Sequence, residues 1–89
     1  MVKRAKLEII KDILRIIQEN RNSIKPTPLL RKSGLSSLGF KEYYIDLLKS
    51  GLVKETGEIK ERKISLTEKG FKFLEKYKTI IDFIDEFEL

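Results

Sequence analysis

The stretch from Thr27 to Gly51, TPLLRKSGLSSLGFKEYYIDLLKSG, restricts what this chain can fold into more than any other part of it. Thr27 has the chemistry of a helix N-cap, and Pro28 suits the first helical position, where no N–H is needed. Gly34 stands where a short helix must stop, because glycine takes the left-handed cap conformation without a Cβ clash. Leu35 is then the apolar plug of a turn. Ser36 caps a second helix that runs to Ser50 and stops at Gly51. Phe40, Tyr44, Leu47 and Leu48 recur on it at helical spacing and form a core face. Ser37, Leu38, Lys41, Glu42, Ile45 and Lys49 lie on the opposite face.

Two short helices joined by a glycine-bearing turn of about three to four residues make a helix-turn-helix unit. In such a unit on DNA, the second helix enters the major groove and the first crosses the phosphate backbone. The groove-facing candidates are Ser36, Ser37, Lys41 and Glu42. Serine bonds a phosphate or a base edge, lysine reaches phosphate or guanine, and glutamate accepts from cytosine. Arg, Asn and Gln, the strongest base readers, are missing from this helix, and Gly39 costs about 1 kcal/mol inside it. A helical hairpin that binds nothing meets the same spacing, so the stretch alone leaves both readings open.

The flanking segments supply the rest of the architecture. Lys3 to Asn20 reads as a first helix with two adjacent apolar sets: Leu7, Ile10, Leu14 and Ile17, then Ile9, Ile13 and Ile16. The arc is wider than one amphipathic face requires. One reading buries all of it in the domain; the other gives Ile9, Ile13 and Ile16 to a partner chain. After the break at Asn20 to Ser23, Pro26 forces Ile24 and Lys25 into extended backbone, which allows a very short strand. Leu52 to Thr56 reads as a strand, Gly57-Glu58 as a turn, and Lys60 to Leu66 as the returning strand with Ile64 and Leu66 on one face. Thr67 caps a last helix that reaches Glu86, about 30 Å long. Its apolar residues Phe73, Tyr77, Ile80, Ile84 and Phe87 form a stripe, with Phe71, Leu74 and Ile81 beside it and Phe83 off it. Its far end overhangs anything so small a domain can cover. Tyr77, Ile80, Ile81, Phe83, Ile84 and Phe87 are therefore expected in a two-chain helical interface, the alternative being a tail that folds back on the first helix of its own chain. The domain division is residues 1–70, then 71–89 as the dimerisation segment.

Composition narrows the function classes. The chain has 89 residues, net charge +5, and neither cysteine nor histidine. That excludes disulfides and a Cys/His zinc site, and it removes the usual nucleophile and acid–base pairs. No glycine-rich phosphate loop is present. The expectation is a non-enzyme with no cofactor, no metal and no small-molecule ligand. Apolar runs are short and broken by charge, so no membrane span of about 20 residues or signal peptide is expected, and the cytoplasm is the expected location. All 19 Lys and Arg lie at or before Lys78, while the chain from Thr79 onward carries Asp82, Asp85, Glu86 and Glu88 and no base. A basic body suits a polyanion, with Lys25, Arg31, Lys32, Lys60, Arg62 and Lys63 as phosphate candidates. The alternative for each is a solvated charge.

Two segments carry a family resemblance: Leu47-Leu48-Lys49-Ser50-Gly51-Leu52-Val53, and the box Leu66-Thr67-Glu68-Lys69-Gly70 that follows the second strand. With the element order helix-strand-helix-helix-strand-strand-helix, they resemble the α+β winged helix-turn-helix fold. The likeness is greatest to small archaeal winged-helix DNA-binding proteins whose long C-terminal helix dimerises, a group that includes a ten-kilodalton protein of Sulfolobus. Leu35-Ser36 matches the family's turn plug and cap, and Phe40, Tyr43, Tyr44 and Leu47 match its recognition-helix positions. Ser37 and Gly39 depart from it, since a larger residue and a better helix former are usual there. The resemblance implies a homodimer on double-stranded DNA, as a transcriptional regulator or a nucleoid-associated chromosome-coating protein. The alternative is a winged-helix module that binds protein.

Overall fold

The computed structural model describes residues 5–89. Four helices surround one small sheet: α1 (Lys6–Glu19), α2 (Pro26–Ser33), α3 (Ser37–Lys49), β1 (Val53–Thr56), β2 (Lys63–Leu66) and α4 (Glu68–Glu86). A 3-10 turn, Ile59–Glu61, separates the two strands. The strands pair antiparallel, with Val53 opposite Leu66 and Glu55 opposite Ile64. Ile24 adds a one-residue bridge on the other side of Ile64, exchanging both backbone bonds with it at 3.1 and 2.7 Å. The expected short strand is thus a single bridge.

α1 is the centre of the core. Ile13, Leu14 and Ile17 are fully buried against Leu29, Leu47, Ile64 and Leu66. Each such side chain contributes about 1.5–3 kcal/mol relative to exposure. Ile9 and Ile13, expected at a partner chain, retain only 8% and 1% of their surface. α2, β2 and α4 all pack on α1 and take up most of its apolar arc, Leu7 excepted. Ile16 is half-buried and lies beside Lys32 and Ser33 of α2 rather than beside α4.

α1 ends through Arg21 and Asn22, both in the left-handed region with φ of 61° and 57°. Asn tolerates that region well, and the position aims its carboxamide oxygen at β2, where it accepts from the Leu66 N–H at 2.6 Å. α2 begins two residues earlier than the sequence suggests. Lys25 is its N-cap and Pro26 its first residue, so Thr27 lies inside the first turn. Both prolines fit there because first-turn N–H groups have no partner within the helix. Gly34 is the left-handed cap, with φ of 72°. Buried Ser33 fixes the turn by donating to the Leu30 carbonyl at 2.6 Å and accepting from the Leu35 N–H at 3.2 Å.

The box after β2 docks on the connection from α3 to β1. Three successive carbonyls accept from it: Ser50 from the Lys69 ammonium at 2.7 Å, Gly51 from the Thr67 hydroxyl at 2.5 Å, and Leu52 from the Thr67 N–H at 3.1 Å. Thr67 Oγ1 also caps α4 by accepting from the Gly70 N–H at 3.1 Å. Gly70 is packed so closely on the Leu52 carbonyl that a Cβ there would overlap its oxygen. The box is therefore a backbone clamp between the helical hairpin and α4.

Candidate nucleic-acid interface

Ser36 is the N-cap of α3, and its hydroxyl accepts from the Gly39 N–H at 3.1 Å. That bond sets the helix start and leaves Ser37, Lys41 and Glu42 on an exposed face, with Phe40 and Leu47 turned into the core. Arg31 and Lys32 are exposed in the last turn of α2. Lys32 Nζ donates to Asn20 Oδ1 at 3.5 Å, a long bond that a stronger acceptor would displace. Lys60 sits in the 3-10 turn, and Lys63 opens β2. The returning strand expected from Lys60 is shorter, because the turn takes up its first residues.

Lys25, Lys60 and Arg62 come together. They line one open groove of about 340 Å³ between the start of α2 and the wing, with Pro26, Thr27, Pro28 and Ile59 as its other walls. Arg31, Lys32, Lys41 and Lys63 are not part of that groove.

One link had no signal in the sequence. The Tyr44 hydroxyl of α3 donates to Glu55 Oε2 of β1 at 2.6 Å, and Arg62 Nη1 stands 3.5 Å from the same oxygen. The three side chains tie the second helix of the hairpin to the wing. Burial pushes the Tyr44 phenol well above its usual value near 10, and the hydrogen bond and charge of Glu55 push the same way. Arg62 opposes them. The guanidinium therefore arrives at the groove already sharing its charge with a carboxylate.

At the far side, α4 continues past the core. α1 and α4 run antiparallel: Arg15 shares a groove with Phe71, Leu74 and Glu75, and Glu8 shares one with Tyr77 and Ile81. Lys11 Nζ lies 5.7 Å from the Tyr77 ring centre. Tyr77 and Ile84 are half-buried. Ile80, Phe83 and Phe87 are 56%, 53% and 56% exposed, and Ile81 is exposed beside them. The Phe83 and Phe87 rings touch, with centres 4.7 Å apart. On α1 the exposed apolar residue is Leu7, which the expected interface does not include.

Among the described residues no group of carboxylates is spaced to hold a metal ion, and no helix is long and apolar enough to cross a membrane.

A capped helical hairpin tied by side chains to a two-stranded wing, with a fourth helix clamped behind it, is the winged-helix architecture. The family model described as winged helix-turn-helix matches residues 3–85, and the chain belongs to that family. No curated protein sequence matches it. Among solved structures, it is similar to Sso10a-2, a DNA-binding protein from Sulfolobus solfataricus. The two share 22% identity and a TM-score of 0.76 over 96% of this chain and 86% of that one. It is also similar to SSV1 F-93, at 26% identity and a TM-score of 0.66 over 96% and 99% of the two chains. These likenesses bear out the resemblance read from the sequence and the α+β winged-helix fold with its long last helix.

Proposed function

We propose that this protein binds double-stranded DNA as a homodimer and has no catalytic role. The observation that carries the reading is the groove that gathers Lys25, Lys60 and Arg62 beside the helical hairpin. All ten residues assigned to DNA, Lys25, Arg31, Lys32, Ser36, Ser37, Lys41, Glu42, Lys60, Arg62 and Lys63, are exposed. The similarity to Sso10a-2, a DNA-binding protein, supports the same reading. α3 offers serines, one lysine and one glutamate on its outer face, so phosphate contacts supply most of the affinity.

The second copy joins through the end of α4, with residues 71–89 as the dimerisation segment. Ile80, Ile81, Phe83 and Phe87 form an apolar surface that water disfavours, and Tyr77 and Ile84 continue it toward the core. Leu7 replaces the buried Ile9 and Ile13 as the contribution of α1. A two-fold seam of this kind sets two recognition helices on successive major grooves, about 34 Å apart. The protein then works on the nucleoid in the cytoplasm.

The test is duplex affinity against salt concentration, with sedimentation to count copies. A steep loss of affinity with added salt supports the reading. No binding at about 50 mM salt refutes it, since phosphate contacts are strongest there. Footprinting separates two roles: one protected operator marks a regulator, and even protection marks a coating protein. A protein-binding role is the second reading, favoured by exposed Leu38 and Ile45 on the outer face of α3.

A further inference from the structure

The wing turn carries an apolar residue that has no role in the fold. Ile59 is 86% exposed, and it lines the same groove as Lys25, Lys60 and Arg62. It is held firmly in that position. Gly57, with φ of 87°, packs on the Glu61 carbonyl, and the Glu61 N–H donates to the Glu58 carbonyl at 2.9 Å.

Ile59, Lys60 and Arg62 line the groove, and Glu58 and Glu61 of the same segment do not. The wing segment thus turns cationic and apolar surface toward α2, with neither glutamate in the groove. Across the groove, Pro26 and Pro28 present apolar ring faces and Lys25 presents a cation.

Alternating apolar surface and positive charge is the complement of a sugar–phosphate chain, in which deoxyribose faces alternate with phosphates. We propose that this groove grips one backbone strand of duplex DNA, with deoxyribose packed on Ile59, Pro26 and Pro28 and phosphates paired to Lys25, Lys60 and Arg62. This rests on the DNA-binding reading above and adds to it an apolar grip that charge alone does not provide. Apolar burial releases no counterions, so the part due to Ile59 is independent of salt, unlike the lysine–phosphate pairs.

The experiment compares Ile59→Ser and Lys60→Ala with the wild-type protein, measuring affinity for one duplex across a salt series. Helical content and melting temperature are checked first; both side chains are exposed, so both variants fold. Ile59→Ser weakens binding about five- to tenfold at every salt concentration, from partial burial of one isoleucine, with the log–log slope unchanged. Lys60→Ala makes the slope shallower by about 0.9 for each phosphate that the lysine neutralised. Unchanged affinity in Ile59→Ser overturns the apolar grip while leaving the DNA-binding reading intact. A changed slope in that variant also overturns it, since Ile59 then acts by placing charges. Absence of wild-type binding at low salt instead refutes the DNA-binding reading itself.

Discussion

Replacing Gly70 with alanine sets two effects of opposite sign against each other. Helix propensity favours alanine by about 1 kcal/mol inside α4. Packing opposes it, because the new Cβ overlaps the Leu52 carbonyl oxygen. Both groups are backbone, so no side-chain rotation relieves the overlap. The first turn of α4 must separate from the connection between α3 and β1. That movement breaks the Thr67 N–H bond to Leu52, 3.1 Å long, and strains the Thr67 hydroxyl bond to Gly51, 2.5 Å long. Each hydrogen bond is worth about 1 kcal/mol, and overpacking adds about 1–3 kcal/mol. The net loss is about 2–3 kcal/mol. For a domain of this size it lowers the melting temperature by about 10–20 °C. The assay is thermal unfolding followed by circular dichroism, at a fixed protein concentration because the proposed dimerisation would shift the midpoint. A midpoint equal to or above that of the unmodified protein refutes the clamp.

Four other outcomes follow from the same geometry. Gly39→Ala is close to neutral in the same assay, because its Cβ meets only the movable Ser36 hydroxyl at 3.1 Å and the gain in helix propensity offsets a weakened cap. Asn22→Ala leaves the Leu66 N–H without its partner and lowers stability by about 1–3 kcal/mol in urea unfolding. The phenol of Tyr44 has a raised pKa, so as pH rises past about 10 the unfolded chain loses that proton first. Folding stability therefore declines in alkali, and Tyr44→Phe shows a smaller decline across the same range. Ile84→Glu together with Phe87→Glu shifts sedimentation from two copies to one; a retained dimer rejects the α4 seam.

Local chemistry is readable from the sequence. The caps at Ser36 and Thr67, the left-handed stop at Gly34 and the end of α4 at Glu86 depend on neighbours within a few positions, and the structure places them as the residues imply. The start of α2 is not, since proline fits several first-turn positions equally well. Ile9 and Ile13 look available to a partner chain because periodicity reports how wide an apolar arc is, not how many elements surround it. The 3-10 turn is hidden in a run of charges that has no period of its own. Tyr44 and Glu55 meet across eleven positions, and nothing local announces the bond. The exposure of the basic residues follows from their charge, but only the fold brings Lys25 to the groove beside Lys60 and Arg62.

The DNA-binding reading has exposed cations of the helical hairpin, beside those of the groove, holding duplex phosphates. The salt dependence of duplex affinity for Arg31→Ala/Lys32→Ala/Lys41→Ala beside the wild-type protein tests this head-on, with folding confirmed by melting temperature. The triple variant binds more weakly at low salt, and its slope is shallower by about 0.9 for each phosphate no longer neutralised. Superimposable salt curves for the two proteins would show that these cations do not hold the duplex.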